Sequence, residues 1–248
     1  MNLQEFFQQN PEVAIAFSGG VDSSYLLYAA TRFAKRAKAY YVQAEFQPQF
    51  ELDDAKRLAE ELGADMRIIH VSVLVDPQVA ANPANRCYFC KQQIFQTIRQ
   101  AASDDGFTVL LDGTNASDDA TDRPGMKALQ ELSVRSPLRE CGLTKDEIRR
   151  LSREAGLFTW DKLAYACLAT RIPTGEEITP EKLIAIEKAE SFLMTLGFTD
   201  FRVRTAGGHA RIQLPGNQTW HLLKNKDKVL AELKPLFKSV SLDLEERS

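Results

Sequence analysis

The sequence predicts an α/β fold, a doubly wound parallel sheet, followed by a smaller C-terminal α+β domain. Three observations predict it. An apolar run, Ala14-Ile15-Ala16-Phe17, breaks at Gly19-Gly20 and resumes with Leu26, Leu27, Ala30, Phe33 and Ala34 at helical spacing; this is the pattern of a buried strand feeding a helix that covers it. The alternation then repeats. Residues 39–44 read as strand, 52–62 as a helix closed by Gly63, and 66–73 as strand, and a βαβαβ run of this kind builds a parallel sheet with right-handed crossovers. After an irregular stretch at 159–179 the pattern changes to one helix, two short strands, a helix and a last strand. We place the boundary there, giving domains 1–165 and 166–248.

The remaining elements follow in order. Residues 3–8 read as a short leading helix, 76–85 as a Pro/Asn-rich loop, and 88–102 as a helix. Val109-Leu110-Leu111-Asp112 is a fourth strand running into Gly113-Thr114-Asn115, and the polar residues 118–124 loop over the site. Thr144-Lys145-Asp146-Glu147 fits a capping box, so a helix starts there and stops before Gly156. Thr179-Pro180 starts another, with proline at the first helical position and Gly197 closing it. Strands at 201–205 and 210–214, a helix at 226–233 and a strand at 239–244 complete the chain.

Composition narrows the class. With 44% hydrophobic and 26% charged residues among 248, the chain can build a sizeable core and is not disordered. No apolar run approaches membrane-spanning length, and the first residues lack the basic and apolar parts of a secretion signal, so a cytoplasmic enzyme without a membrane partner is expected. A formal net charge of −3 provides no overall attraction to nucleic acid. Four cysteines in such a chain point to thiol or metal chemistry rather than a disulfide framework.

The loop Ser18-Gly19-Gly20-Val21-Asp22-Ser23 sits between strand and helix, at the strand's carboxyl end, where ligands of such sheets bind. Its glycines permit a tight turn that aims backbone N–H groups at an anion, and the helix amino terminus adds partial positive charge. Ser18 and Ser23 offer hydroxyls on either side, and Asp22 is a candidate ligand for Mg²⁺. No lysine follows the glycines, so this is not the GxxxxGK[ST] loop. It resembles the SGGxDS pyrophosphatase loop, and that resemblance implies that ATP is split at its α-phosphate into AMP and pyrophosphate. Gly113, Thr114 and Asn115 are expected to approach the nucleotide from the next strand end. Asp118, Asp119 and Asp122 are further candidates for holding Mg²⁺.

Cys87-Tyr88-Phe89-Cys90 places two thiols a turn apart at the mouth of a helix, beside Arg86 and Lys91. The dipole and these cations favour thiolates. A CxxC alone suits a redox or persulfide pair, half a zinc site or part of an iron–sulfur site. Cys167 lies far downstream in Ala166-Cys167-Leu168-Ala169-Thr170-Arg171, whereas Cys141 has no motif and reads as an ordinary thiol. His70 and His221 read as structural.

Taken together, the loop at 18–23, Asn85-Arg86-Cys87-Tyr88-Phe89-Cys90-Lys91, Asp112-Gly113-Thr114-Asn115, the Cys167 segment through Ile172-Pro173, Phe201-Arg202-Val203-Arg204 and Ala210-Arg211-Ile212 resemble the LarE family. The similarity is collinear over nearly the whole chain. It implies an adenine nucleotide alpha-hydrolase-like PP-loop domain and an ATP-dependent sulfur transferase of nickel-pincer nucleotide biosynthesis. The implied substrate is pyridinium-3,5-biscarboxylate mononucleotide. ATP would adenylylate a carboxylate, and a sulfur nucleophile from sulfide or a persulfide donor would displace AMP to leave a thiocarboxylate. Cys167 matches the sulfur-bearing position, which in one branch gives up its own sulfur and becomes dehydroalanine. Another branch has three cysteines, as here, and the resemblance to it implies a 4Fe–4S cluster on Cys87, Cys90 and Cys167 with one iron open to sulfide. Relatives imply a homo-oligomer.

Lys91 is expected near the ATP phosphates or the adenylate. Arg202, Arg204 and Arg211 fall on one face of adjacent strands and, with Arg171, are expected to bind an anionic substrate. One departure stands nearby: where the family carries an acidic residue after Ala-Arg-Ile, this chain has Gln213, and the preceding loop reads Gly207-Gly208-His209. Three other readings compete. A tRNA thiolase would need a basic RNA-binding surface; an amide-forming synthetase of the NAD or GMP synthetase kind would not need Cys167; a nucleotide sensor would bind ATP without cleaving it.

Overall fold

The structure is a computed structural model that describes residues 1–118 and 124–246. In chain order its main elements are α1 Leu3–Gln9, β1 Glu12–Ala16, α2 Val21–Phe33, β2 Arg36–Gln43, α3 Gln49–Leu62, β3 Asp65–His70, α4 Pro77–Ala80, α5 Arg86–Asp104 and β4 Leu110–Leu111. There follow α6 Pro124–Glu131, α7 Pro137–Glu140, α8 Lys145–Glu154, α9 Pro180–Thr195, β5 Arg202–Ala206, β6 His209–Gln213, α10 Thr219–Lys224, α11 Lys226–Leu233 and β7 Ser239–Leu242. Two compact units result, one of Met1–Val73 with Asn85–Ala164, the other of Leu74–Ala84 with Tyr165–Ser248.

The first unit is built on a parallel sheet of order β3-β2-β1-β4. β1 is central, and Val13, Ala14 and Ile15 are wholly buried, which is why this strand reads as an unbroken apolar run rather than an alternating one. Phe6, Phe7, Leu26, Leu27, Leu58 and Leu138 pack in the same core. The order reverses between β1 and β4. The chain leaves these two strands in opposite directions, and the crevice beyond their carboxyl ends is where a ligand fits.

Boundaries differ from the periodicity where polar contacts decide them. β2 begins at Arg36 rather than at 39, because Lys38 is paired with Asp65 at 3.4 Å and Asp105 at 3.1 Å and so extends the ladder with charged residues. β3 stops at His70 instead of 73: the Ser72 hydroxyl and the Val73 N–H donate to Glu45 instead of to a strand. Gly63 ends α3 at φ 60°, as expected. The capping box at Thr144 is present in full. Thr144→Ala is expected to cost about 1 kcal/mol, read as a lower urea midpoint at unchanged slope.

The second unit carries a three-stranded sheet of order β5-β6-β7, with β5 and β6 antiparallel and β7 parallel to β6. Leu193, Phe198, Phe201, Val203, Ile212 and Leu233 form its core. The stretch expected to be a plain loop at 76–85 contains the single turn α4. Asn82, buried and at φ 54°, ties it down: its side-chain amide donates to the Pro173 carbonyl at 2.8 Å, and its backbone carbonyl accepts from Gly175 N–H at 2.8 Å. His221 is structural, bonded to the Leu196 carbonyl at 2.8 Å.

Candidate active site

In the first unit the loop after β1 opens a cavity of about 310 Å³ whose walls include Ser18, Gly20, Asp22, Lys91, Phe95 and Gly113. Gly19 holds φ 71°, and a Cβ there would meet Ala55 Cβ and the Glu51 carbonyl at 3.3 Å, so the loop lies directly on α3. Gly20 is the N-cap of α2 and provides no side-chain cap. The N–H groups of the first turn are therefore left for a ligand. Val21 opens that turn as a buried residue. Ser18 and Ser23 pair with each other at 3.0 Å, and Ser23 also donates to the Gly20 carbonyl at 3.2 Å; they brace the loop.

Gly113 closes the other wall. A Cβ on it would lie 2.8 Å from Ser23 N, so the end of β4 packs on the backbone of the first turn of α2. Thr114 lines the same cavity, its hydroxyl donating to Asp112, while Asn115 is buried and shapes its own loop, its side-chain oxygen accepting from Ser117 N–H at 2.8 Å. Asp118 likewise accepts from Asn115 N–H at 3.0 Å. Asp119 and Asp122 lie outside the described residues.

Asp22 Oδ2 is 2.6 Å from Lys145 Nζ, while its Oδ1 is buried and has no hydrogen-bond partner. A hard, unsatisfied carboxylate oxygen beside a phosphate loop fits Mg²⁺, which takes one or two carboxylates and fills its remaining sites with water and phosphate. Among the described residues, no group of three or more His, Cys, Asp and Glu side chains gathers in metal-binding fashion. Lys145 is a residue that the sequence reading missed as a site residue. The signal was present: a lysine at the first position of α8 opposes the helix dipole, and such a placement calls for a reason. Lys162, also missed, is 2.7 Å from Asp54 and donates to the Gly19 carbonyl at 3.3 Å.

Cys87 and Cys90 lie in the first turns of α5, in the first unit, with Arg86 Nη2 3.8 Å from Cys87 Sγ. Cys141 packs against the core, and burial pushes its thiol up, as suits an ordinary thiol.

Cys167 belongs to the second unit, where it is the N-cap of a 3₁₀ turn over Leu168–Arg171. Arg171 organises that turn. Its guanidinium is bidentate to Glu190, with both bonds at 3.0 Å, and it donates to the Ala166 and Cys167 carbonyls at 2.6 and 3.3 Å. Glu190 also takes the Tyr165 hydroxyl and the Val203 N–H. Burial and the Glu190 charge push the Tyr165 phenol far above its usual range, so it remains a donor. Arg171, expected to bind substrate, is the buried partner of Glu190 and also lines the cavity on which Arg204 and Arg211 open. Arg202 is also buried; it donates to the Phe201 carbonyl at 2.6 Å and lies over the Tyr165 ring.

Arg204 and Arg211 do come together. They face each other across the β5–β6 hairpin and, with His209, line an open cavity of about 520 Å³. Arg204 is steadied by Gln213 at 3.0 Å and the Thr170 carbonyl at 3.1 Å, Arg211 by Asp243 at 3.2 Å, and the His209 ring by Ser239 at 2.8 Å. Gln213 thus does with an amide what an acidic residue would do with a charge.

Among the described residues, no helix is long and apolar enough to cross a membrane. Residues 5–119 match the asparagine synthase family model, which covers the phosphate loop and β4. An uncharacterized protein of Synechocystis sp. is 38% identical over 250 residues, 98% of this chain and 92% of its own. Another uncharacterized protein, from Methanocaldococcus jannaschii, is 27% identical over 245 residues, 98% of this chain and 93% of its own. The pyridinium-3,5-bisthiocarboxylic acid mononucleotide synthase of Lactiplantibacillus plantarum is 34% identical over 235 residues, 94% of this chain and 85% of its own. With that identity over 94% of its length, the chain belongs to the LarE family of ATP-dependent, sulfur-transferring synthases.

Proposed function

We propose that the chain adenylylates a carboxylate of pyridinium-3,5-biscarboxylate mononucleotide and converts it to a thiocarboxylate, releasing AMP and pyrophosphate. The observation that carries the reading is the loop: an uncapped α2 amino terminus beside a carboxylate whose Oδ1 is buried and unpartnered. The uncapped N–H groups of Val21, Asp22 and Ser23 bind the β,γ-pyrophosphate, Asp22 holds Mg²⁺, and Lys91 offsets charge on the α-phosphate side. Lys145, held on Asp22 in this structure, shifts to phosphate when Asp22 takes the metal. A substrate carboxylate oxygen attacks the α-phosphorus, and pyrophosphate leaves with the electron pair. Attack of a sulfur nucleophile on the acyl carbon then expels AMP.

In this reading residues 1–165 activate, and residues 166–248 hold the substrate, with Arg204 and Arg211 as charge-assisted donors to its anionic groups. We assign the sulfur to a 4Fe–4S cluster held by Cys87, Cys90 and Cys167. The resemblance to the three-cysteine branch of the family supports this assignment: thiolates are the ligands of such clusters, and three of them leave one of the four irons open. When bound it would supply the sulfide that ends as the thiocarboxylate sulfur. The family resemblance further supports a cytoplasmic homo-oligomer.

Anaerobic turnover with ATP, Mg²⁺, the biscarboxylate nucleotide and sulfide tests the proposal. Substrate-dependent pyrophosphate release, a product with sulfur in place of oxygen and a protein of unchanged mass are expected. Loss of sulfur from Cys167 would overturn the cluster as donor, and pyrophosphate release that ignores the carboxylate substrate would overturn the reaction.

A further inference from the structure

We propose that Lys162 is a positioning residue that sets the direction of the Gly19–Gly20 peptide, and through it the affinity of the loop for pyrophosphate. The inference rests on the reading that this loop binds the pyrophosphate end of ATP. Lys162 lies in the irregular stretch before Cys167 and belongs to no helix or strand. Its side chain is only 15% exposed, with Nζ 2.7 Å from Asp54 Oδ2 on α3 and 3.3 Å from the Gly19 carbonyl. Its own carbonyl is fixed from α8, where Arg149 Nη2 donates to it at 2.9 Å. The ammonium is thus anchored at both ends of the side chain and presented to one peptide of the loop.

That peptide needs an anchor. Two consecutive glycines place little restriction on the plane between them, so the Gly19–Gly20 peptide can rotate at small steric cost. A trans peptide is planar, with its C=O and N–H pointing in opposite directions. Holding the Gly19 carbonyl on the α3 side therefore turns the Gly20 N–H towards the cavity, where its nearest acceptor is Ser18 Oγ at a long 3.5 Å. Gly20 lines the cavity. An N–H so weakly engaged is available to a phosphate oxygen, provided that the peptide does not turn.

Lys162 has two ways to help an anion: by its charge or by its grip on the carbonyl. The 2.7 Å contact with Asp54 largely cancels its field at the distance of a ligand, since a close pair of opposite charges acts beyond its own length only as a dipole. Orientation is what remains. The two accounts differ in sign for Asp54→Asn. Removing that carboxylate unmasks the cation and tightens pyrophosphate binding if charge is the agent. It weakens binding if the carboxylate's task is to hold Nζ against Gly19.

Calorimetric titration of the full chain with pyrophosphate, ATP and AMP tests the proposal. Wild type should bind ATP more tightly than AMP. Lys162→Met should lose about tenfold in affinity for ATP and pyrophosphate, roughly the worth of one charge-assisted contact, with AMP affinity and thermal midpoint unchanged. Lys162→Arg should recover much of the loss, and Asp54→Asn should weaken pyrophosphate. A wild type that does not prefer ATP over AMP overturns the loop reading itself. Equal losses for ATP and AMP in Lys162→Met, or none for either, overturn the role of Lys162 alone. Tighter pyrophosphate binding by Asp54→Asn overturns the orientation account, and this variant decides the matter if Lys162→Met fails to fold.

Discussion

Gly113→Ala is expected to lower kcat/KM for ATP-dependent turnover by about 10²-fold or more while the first unit remains folded. The added methyl would stand 2.8 Å from Ser23 N, 3.1 Å from Ser23 Cα and 3.3 Å from the Asp22 carbonyl carbon. All three are backbone atoms of the first turn of α2, so no side-chain rotation relieves the contact. The strain is one of approach and not of φ, since Gly113 is absent from the positive-φ glycines. Either the end of β4 retreats or α2 shifts away from it, and in both cases the two walls of the cavity, Gly113 on one side and the loop with Asp22 on the other, change their separation. Overpacking of this kind costs about 1–3 kcal/mol, which a unit with so extensive a core survives. Activity is more sensitive, because a displacement of about 1 Å at a reacting centre is enough for the stated loss. Steady-state kinetics and a urea titration separate the two effects. A variant with wild-type kcat/KM would show that the loop tolerates displacement and that its close packing on β4 is incidental.

The first unit was the more legible of the two, for a physical reason. In a sheet covered on both faces, burial writes itself into the sequence as runs such as Ala14 to Phe17, and the interruption at Gly19-Gly20 marks the strand end where ligands collect. Lys91 was legible because it follows a cysteine pair on a helix, and it does line the cavity. What escaped was chemistry delivered from distant segments. Lys145 stands in a capping box that was read only as a helix start. Lys162 stands in a stretch with no period at all, where spacing carries no information. Glu190 was visible in principle: it falls with Leu183, Ile186 and Leu193 on the buried stripe of α9, and a charge at such a position requires a buried partner. The partner was Arg171, which the motif reading had assigned to substrate. Two arginines that line one cavity are thus held differently, Arg204 by an amide and a backbone carbonyl and Arg171, 1% exposed, by the carboxylate of Glu190. Strand or turn periodicity does not separate them, because what decides is the presence of a buried carboxylate across the gap.

That pairing carries the second large effect. Glu190→Ala should destabilise the second unit by about 3–5 kcal/mol, since it leaves the Arg171 guanidinium, 0% exposed, without a counter-charge. It also removes the acceptor of the Tyr165 hydroxyl and of the Val203 N–H. The consequence reaches Cys167 through Arg171, whose Nη1 holds the Ala166 and Cys167 carbonyls. An arginine in search of water lets go of both, so modification of Cys167 by a thiol reagent should accelerate in the variant, read by mass spectrometry of the Cys167 peptide. ATP binding by the first unit should persist. The two partners need not be equal in cost to the sum of their parts. Removing a buried pair together, as in Arg171→Met with Glu190→Leu, leaves no orphaned charge and is expected to be much milder than Glu190→Ala alone. The double variant therefore separates two roles that the single one confounds. If it regains stability yet Cys167 remains over-reactive, the pair exists to shape the Cys167 turn. If stability and ordinary Cys167 reactivity return together, packing alone sufficed and the charge contributes nothing to the turn. Additive losses would mean that Arg171 and Glu190 do not act as a pair, contrary to their bidentate geometry.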